Sequence, residues 1–351
     1  MIVGVCGYGA TGSSPVLDLL REFEDIQVLD DFEFIYCYQF DGLQDLEYHL
    51  VKNPVRNTSG DVAINRFLRA ARAIKTPFIA KPTDTKAFLD ITHRYIDSLI
   101  QAKYKGMDWI DVRSGNVLKN TVNLAMKRIV LPLLYENRMK KPCYIWPNRD
   151  MYLCIDPDDF YEKSKQYIRD ILSIMGADMN RIILLNQPFA GNAPEQSFHF
   201  FDDPKAIVVD RDPRDLFLHA KYVSMSMRKF MPTKNVSDFV EYYRNLRKKQ
   251  ERKDTERVLF LQFENLIYNY ENSLERIKSF LNVNNHKLPR NYFNPDYAIS
   301  NTQLSLRYPN EISNVRYIEK HLPEHLFHFD EYVDVSIQGQ PFCGRPKMRV
   351  K

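Results

Sequence analysis

Two stretches combine residue types and spacing suited to binding anions. The first is Gly7-Tyr8-Gly9-Ala10-Thr11-Gly12-Ser13-Ser14, between the apolar run Ile2–Cys6 and the helical pattern Ser13–Leu20. Glycines let a backbone approach an anion closely, and a helix N-terminus aims unpaired N–H groups and the positive end of its dipole at one. The hydroxyls of Thr11, Ser13 and Ser14 add donors. Pro15 fits the first helical turn, where no N–H partner is lost. The letters match two templates. Gly7-x-Gly9-x-x-Gly12 is the dinucleotide fingerprint, with Asp30 or Asp31 near the distance where an acid holds a ribose. Gly7-x-x-x-x-Gly12-Ser13-Ser14 is a phosphate loop with serine in place of lysine. An ordinary tight strand-to-helix turn has the same shape.

The second stretch is Ala206–Tyr222, AIVVDRDPRDLFLHAKY. A buried strand runs into Arg211-Asp212-Pro213-Arg214-Asp215 and then a helix, with Pro213 near its start. Arg211 falls at the sheet edge that also carries the glycine loop, where a guanidinium is a natural fork for a second phosphate. Asp212 and Asp215 suit helix caps or partners for Arg214. Read alone, the same letters describe a well-capped helix with a structural ion pair.

The elements that must hold these stretches follow from the apolar pattern. Strands are expected at Ile2–Cys6, Ile26–Leu29, Arg181–Leu185 and Ala206–Asp210, with helices at Ser13–Leu20 and Asp158–Met175. Strand, helix, strand within thirty residues points to a parallel sheet with right-handed crossovers. Glu33, in the aromatic stretch after the second strand, stands near the carboxyl edge where such sheets bind ligands. From Leu43 to Lys141 helical spacing dominates (45–51, 60–75, 83–104 and 116–137). We read this as a helical insertion over the active edge, with Arg66, Arg69 and Arg72 on one helix face. The fold class expected is α/β, a three-layer P-loop-like arrangement with a central parallel sheet, helices on both faces and the insertion at about 43–141. One domain is expected over 1–335 and an exposed tail of no assigned function over 336–351.

The 351 residues are 44% hydrophobic and 27% charged, with a net charge of +4, which suits a soluble chain and an anionic ligand. No dense basic stripe interleaved with aromatics suggests nucleic acid. The five cysteines are scattered without a C-x-x-C, so reduced thiols are expected and a zinc site is not. No run approaches a membrane span and no leader pattern opens the chain, so a cytoplasmic location is expected.

Strand–RDPRD–helix resembles the 3′-phosphate-binding element of sulfotransferases that use 3′-phosphoadenosine 5′-phosphosulfate (PAPS). The turn Gly9–Ser14 is then similar to their 5′-phosphosulfate loop. Val258–Asn282, with Phe263-Glu264-Asn265-Leu266, resembles that family's next strand, signature and helix. Ser300-Asn301-Thr302-Gln303 through Arg307 and the helix Glu311–His321 look like the segment that closes over the nucleotide. The blocks occur in the family's order and cover the N-terminal twenty residues and most of 182–325. The resemblance is to the bacterial, glycan-sulfotransferase-like branch.

The resemblance implies PAPS as cofactor, 3′-phosphoadenosine 5′-phosphate as product, no metal, and an acceptor hydroxyl on a saccharide or glycolipid. It implies nucleotide contacts from Gly9, Ala10, Thr11, Gly12, Ser13, Ser14, Arg211, His219 and Asn301. Two positions depart from the family. Ala10 stands where a loop Lys or Arg is usual, leaving Lys81 and Arg149 as candidate replacement cations. His219 stands where a serine is frequent, with Ser224 and Ser226 nearby. For the general base, Glu33 matches the glutamate after the second strand, with Asp31 as fallback. His49 is a further candidate, while Asn186-Gln187-Pro188 replaces the histidine of the cytosolic branch and has no base to offer. The alternatives are an NAD(P)-binding oxidoreductase and a non-catalytic nucleotide-binding protein on the same fold.

Overall fold

Every residue of Ile2–Cys6 (β1) is buried, which is why IVGVC shows no alternation: a strand inside a parallel sheet is covered on both faces. Four more strands join it in the order β2-β5-β1-β6-β7, all parallel. They are Ile26–Leu29 (β2), Ile182–Asn186 (β5), Pro204–Asp210 (β6) and Val258–Gln262 (β7). The edge strand β7 alternates half-buried and buried residues, as a strand covered chiefly on one face does. The structure is a computed structural model. It describes residues 1–29, 33–54, 59–73, 85–108, 111, 117–134, 148–332 and 339–343.

Helices cover both faces of the sheet. On one, Ser13–Leu20 (α1) and the later helix Tyr270–Leu281 bury their apolar stripes against Val3, Val5, Leu184, Ile207, Val209 and Leu261. On the other, Phe189 lies edge-on to Phe198 and Phe201. Gly4 makes that cover possible, since a Cβ there would fall 2.5 Å from the Phe189 ring. Each large apolar side chain buried this way contributes about 1.5–3 kcal/mol. A neighbouring cluster joins the helices Pro213–Leu218, Val236–Arg247 and Ile312–His321 through Leu216, Phe239, Val240, Val315 and Ile318.

The strand order places the site. The chain leaves β1 toward β2, on one side, and leaves β6 toward β7, on the other. Neighbouring strands with diverging exits open a crevice at their carboxyl ends. The glycine loop follows β1 and Arg211 follows β6, so both rim this crevice.

The chain forms two compact units. The first is Met1–Gln39, Ile74–Phe88 and Ile168–Lys351, and contains the sheet. The second is Phe40–Ala73 and Leu89–Tyr167. Within it, Leu43–Glu47 (α2) and Ser59–Ala73 (α3) accompany parts of Thr85–Leu99 (α4) and Phe160–Ile174, with Val117–Ala125 (α5) between. Numbering then continues as α6 (Phe160–Ile174), α7 (Pro213–Leu218), α8 (Val236–Arg247), α9 (Tyr270–Leu281) and α10 (Ile312–His321). The helical expectation over 83–104 ends early. Ala102–Gly106 (β3) is a strand, paired antiparallel with Arg149–Leu153 (β4). Its partner lies more than forty residues away, so no hairpin signal marks it. Arg66, Arg69 and Arg72 are exposed on α3, where Arg66 pairs with Asp41 at 2.6 Å. Among the described residues no helix is long and apolar enough to cross a membrane. Cys6, Cys37, Cys154 and Cys343 are unpaired.

Candidate functional site

All five strands of the sheet deliver residues to one cavity of about 340 Å³: Gly9, Ala10 and Gly12–Ser14 after β1 (Thr11 is buried and is not among the lining residues), Glu33 after β2, Gln187 after β5, Arg211 after β6 and Phe263 after β7. A second cavity of about 350 Å³ opens between residues 191–196 and 249–255 and holds none of the glycine loop. Volume therefore does not select the site; its side chains do.

The glycine loop is built from left-handed backbone. Gly9, Ala10 and Gly12 have φ of 82°, 53° and 104°. Such curls turn N–H groups toward a common centre and make an anion-binding concavity. Ala10 holds this conformation with a Cβ, so strain is stored in the loop. Gly12 has no such freedom, because a Cβ would fall 2.5 Å from the Phe263 ring. The shape is held from outside. Gln187 accepts the Gly7 N–H at 3.1 Å and donates to Ser13 Oγ at 3.2 Å, while Thr11 Oγ1 accepts the Tyr8 N–H. Ser14 is exposed on the first turn of α1. The sequence placed Gln187 where the cytosolic branch has its base; its amide instead braces the loop.

Arg211 is 3% exposed and lines the cavity. Its Nη1 donates to the Ala10 carbonyl at 3.1 Å, its Nη2 to the Asn301 carbonyl, and the guanidinium lies 5.1 Å from the Phe263 ring centre. Its Nε is buried without a partner. Burial lowers its pKa, opposed by Asp215, Glu264 and Asp212. Loop and arginine are thus one assembly, with the Ala10 carbonyl as the joint.

The acids behind Arg211 hold backbone. Asp212 caps α7 by accepting the Arg214 N–H at 2.8 Å, and pairs with the Arg214 side chain. Asp215 accepts the N–H groups of Gln303 and Leu304, which fixes the segment that carries Asn301. Burial, with Asp212 adding to it, pushes Asp215 up to about 7. Glu264 is 0% exposed and accepts the Asp212 N–H; burial raises its carboxyl well above the usual range. Asn301 stands in the cavity wall, its side chain accepting the Phe342 N–H at 3.0 Å. The C-terminal residues Phe342 and Cys343 thereby join the wall, although the sequence reads 336–351 as an exposed tail. Residues 344–351 lie outside the described residues.

His219 is 5% exposed and lines the cavity, with Nδ1 buried and unpartnered. Burial, and then the Arg211 charge, push it down to about 3. Ser224 and Ser226 line the same wall. Glu33 lines the cavity as an exposed residue, and the desolvation it does undergo raises its carboxyl. Asp18, on the second turn of α1, is another carboxylate in the wall, one the sequence did not single out. His49 belongs to the second unit, edge-on to Tyr48. Asp30, Asp31 and Lys81 lie outside the described residues. Arg149 is committed elsewhere: its guanidinium pairs with Asp61 at 2.6 Å and Asp111 at 2.9 Å, and the Asp61 bond leads in raising its pKa. Among the described residues that line the cavity, Arg211 is the single Arg or Lys.

A buried network missed by sequence reading secures the crevice. Arg247, at the end of α8, pairs with Asp210 and lies between the rings of Tyr8, at 4.1 Å, and Tyr243, at 3.4 Å. The Tyr243 hydroxyl donates to the Arg211 carbonyl at 3.0 Å. Tyr243→Phe leaves that buried carbonyl unpaired and is expected to cost about 1–2 kcal/mol, read from the urea midpoint. A shift near zero contradicts the bond.

Two shifted groups make opposite predictions for stability against pH. His219 titrates near 6.5 unfolded and about 3 folded, so below 6.5 the unfolded chain holds the extra proton and stability falls with acid. Asp215 titrates near 3.8 unfolded and about 7 folded, so the folded chain holds the extra proton between them and stability rises with acid. Between pH 7 and 5, His219→Gln is expected to tilt the stability curve toward acid stability and Asp215→Asn away from it. Urea midpoints at the two pH values check both signs.

No protein-family model and no curated protein matches the sequence. Among solved structures, the chain is similar to the sulfotransferase domain of the Synechococcus PCC 7002 olefin synthase at 14% identity and a TM-score of 0.36. The match covers 84% of this chain and 78% of that one. A sulfotransferase domain of the curacin biosynthetic pathway matches at 11% identity and TM-score 0.37, with the same coverage. Sulfotransferase STF9 from Mycobacterium avium matches at 14% identity and TM-score 0.32, over 97% of this chain and 78% of that one.

Proposed function

We propose that the cavity binds PAPS and that the protein transfers its sulfuryl group to an acceptor hydroxyl. The observation that carries this reading is the union of two anion-binding elements in one cavity: the left-handed loop at the α1 N-terminus and Arg211, bonded to the loop's own Ala10 carbonyl. A ligand with anionic groups at both ends of a nucleoside suits that pair. The loop and Ser13–Ser14 hold the 5′-phosphosulfate, and Arg211 with His219 meets the 3′-phosphate.

The chemistry balances on these groups. The acceptor oxygen bonds to sulfur as the bond from sulfur to the 5′-phosphate oxygen breaks. Charge develops on that oxygen, where the loop N–H groups and helix terminus stabilise it. Glu33 takes the acceptor proton, its raised carboxyl closer to working pH than an ordinary one. The acceptor class we infer, from the resemblance of Glu33 to the family's glutamate and from the basic helical insertion, is a saccharide or glycolipid. Incubation with PAPS and a panel of saccharides and phenols, read as release of 3′-phosphoadenosine 5′-phosphate, tests this. Turnover on saccharides is expected; turnover only on phenols overturns the acceptor class. A second reading, a nucleotide-binding protein without turnover, is favoured by Ala10 in the loop and predicts nucleotide binding with no product from any acceptor.

A further inference from the structure

His219 sits eight residues beyond Arg211, on the turn His219–Val223 that follows α7. With Nδ1 turned into the wall, Nε2 is the ring nitrogen left for a ligand. The groups around it are few. Arg211 comes from the end of β6 and is the one charge that acts on the ring besides burial. Asp215, on its own helix, spends both oxygens on the Gln303 and Leu304 N–H groups. Asn301 and Ser224 are uncharged, and Cys343 Sγ donates to Ser224 Oγ. Lys221 is paired with Glu311. The loop Gly9–Ser14 brings no titratable side chain.

Beside the wall carboxylates Asp18 and Glu33, the described lining therefore carries one guanidinium and one neutral imidazole. A phosphate dianion changes that balance. It offsets the Arg211 charge that repels a second proton, and it offers an oxygen to an imidazolium N–H. Among the described residues the lining has no lysine to share the load.

We infer that His219 takes up a proton when the 3′-phosphate end of the nucleotide binds, adding a second positive charge beside Arg211. The inference rests on the bisphosphate reading above. The proton comes from solvent, no covalent bond changes, and the product is an imidazolium–phosphate hydrogen bond. The sign follows from linkage. Above about 3, the free ring is neutral. Between that value and the bound-state pKa, one proton enters with the ligand, so affinity weakens about tenfold per unit rise in pH. Above the bound-state pKa the dependence flattens.

The test is calorimetric titration with 3′-phosphoadenosine 5′-phosphate at pH 6 in two buffers of unlike ionisation enthalpy, which counts protons. AMP, lacking the 3′-phosphate, is the control ligand. The wild type is expected to take up about one proton more than His219→Gln. AMP is expected to show no difference between the two proteins. His219→Ser serves should the glutamine variant not fold. In the wild type, the histidine ring signals followed by NMR across pH are expected to include one that moves up on adding the bisphosphate. Tight bisphosphate binding with equal proton uptake in wild type and variant overturns the His219 inference and leaves the nucleotide reading standing. A folded wild type that does not bind the bisphosphate overturns both.

Discussion

Arg211→Ala is expected to weaken binding of 3′-phosphoadenosine 5′-phosphate about a hundredfold while leaving AMP within about threefold. A charge-assisted bond from a buried guanidinium to phosphate contributes about 1.5–3 kcal/mol, and tenfold in affinity is about 1.4 kcal/mol. AMP has nothing to place against Arg211, so it is spared. The variant also strands the carbonyls of Ala10 and Asn301, which Arg211 holds in the native chain. Stability will fall as well, and a melting curve must accompany each titration. Arg211→Lys separates the two effects: it keeps the charge and loses the fork, so bisphosphate binding should fall between wild type and alanine. Equal loss for both nucleotides would mean that Arg211 only keeps the loop in shape.

Glu33→Gln is expected to lower kcat by about a hundred- to ten-thousandfold, the usual contribution of a positioned general base. Nucleotide affinity should not change, because Glu33 meets the acceptor rather than the phosphates. The pH profile gives an independent reading. The base works ionised, so wild-type kcat falls as pH drops through its raised pKa. The glutamine variant should lose that acid limb. Retained kcat in the variant would move the role to another carboxylate, and Asp18 is the one already in the wall.

Local signals were readable. β1, the glycine turn and α1 announce themselves within twenty residues. Asp212 and Pro213 mark the start of α7 by cap and N1 preference, and the structure has them there. The parallel sheet followed from short apolar runs separated by helical patterns. What stayed hidden depends on distant partners. Arg247 lies in the charged run NLRKKQERK, which sequence analysis did not single out, and it is buried on Asp210 between two tyrosines. Gln187 looks like a failed base until its amide is seen spanning Gly7 and Ser13. Phe342 and Cys343 join the cavity through Asn301 and Ser224, contacts no local pattern encodes. The β3–β4 ribbon escaped for the same reason.

The departures from the expected motif also gain physical content. Ala10 removes a cation from the loop but keeps the left-handed backbone that a phosphate requires. Among the described residues that line the cavity the one Arg or Lys is Arg211, tied to the same residue's carbonyl. Beside it in the same lining, His219 is a group able to add a second positive charge.

The measurement that bears most directly on the central claim is calorimetric titration with 3′-phosphoadenosine 5′-phosphate, against AMP, ATP–Mg and NAD. The account predicts tight binding of the bisphosphate and weak binding of the other three. Preference for NAD would contradict it, giving the glycine loop a dinucleotide role and Arg211 a structural one.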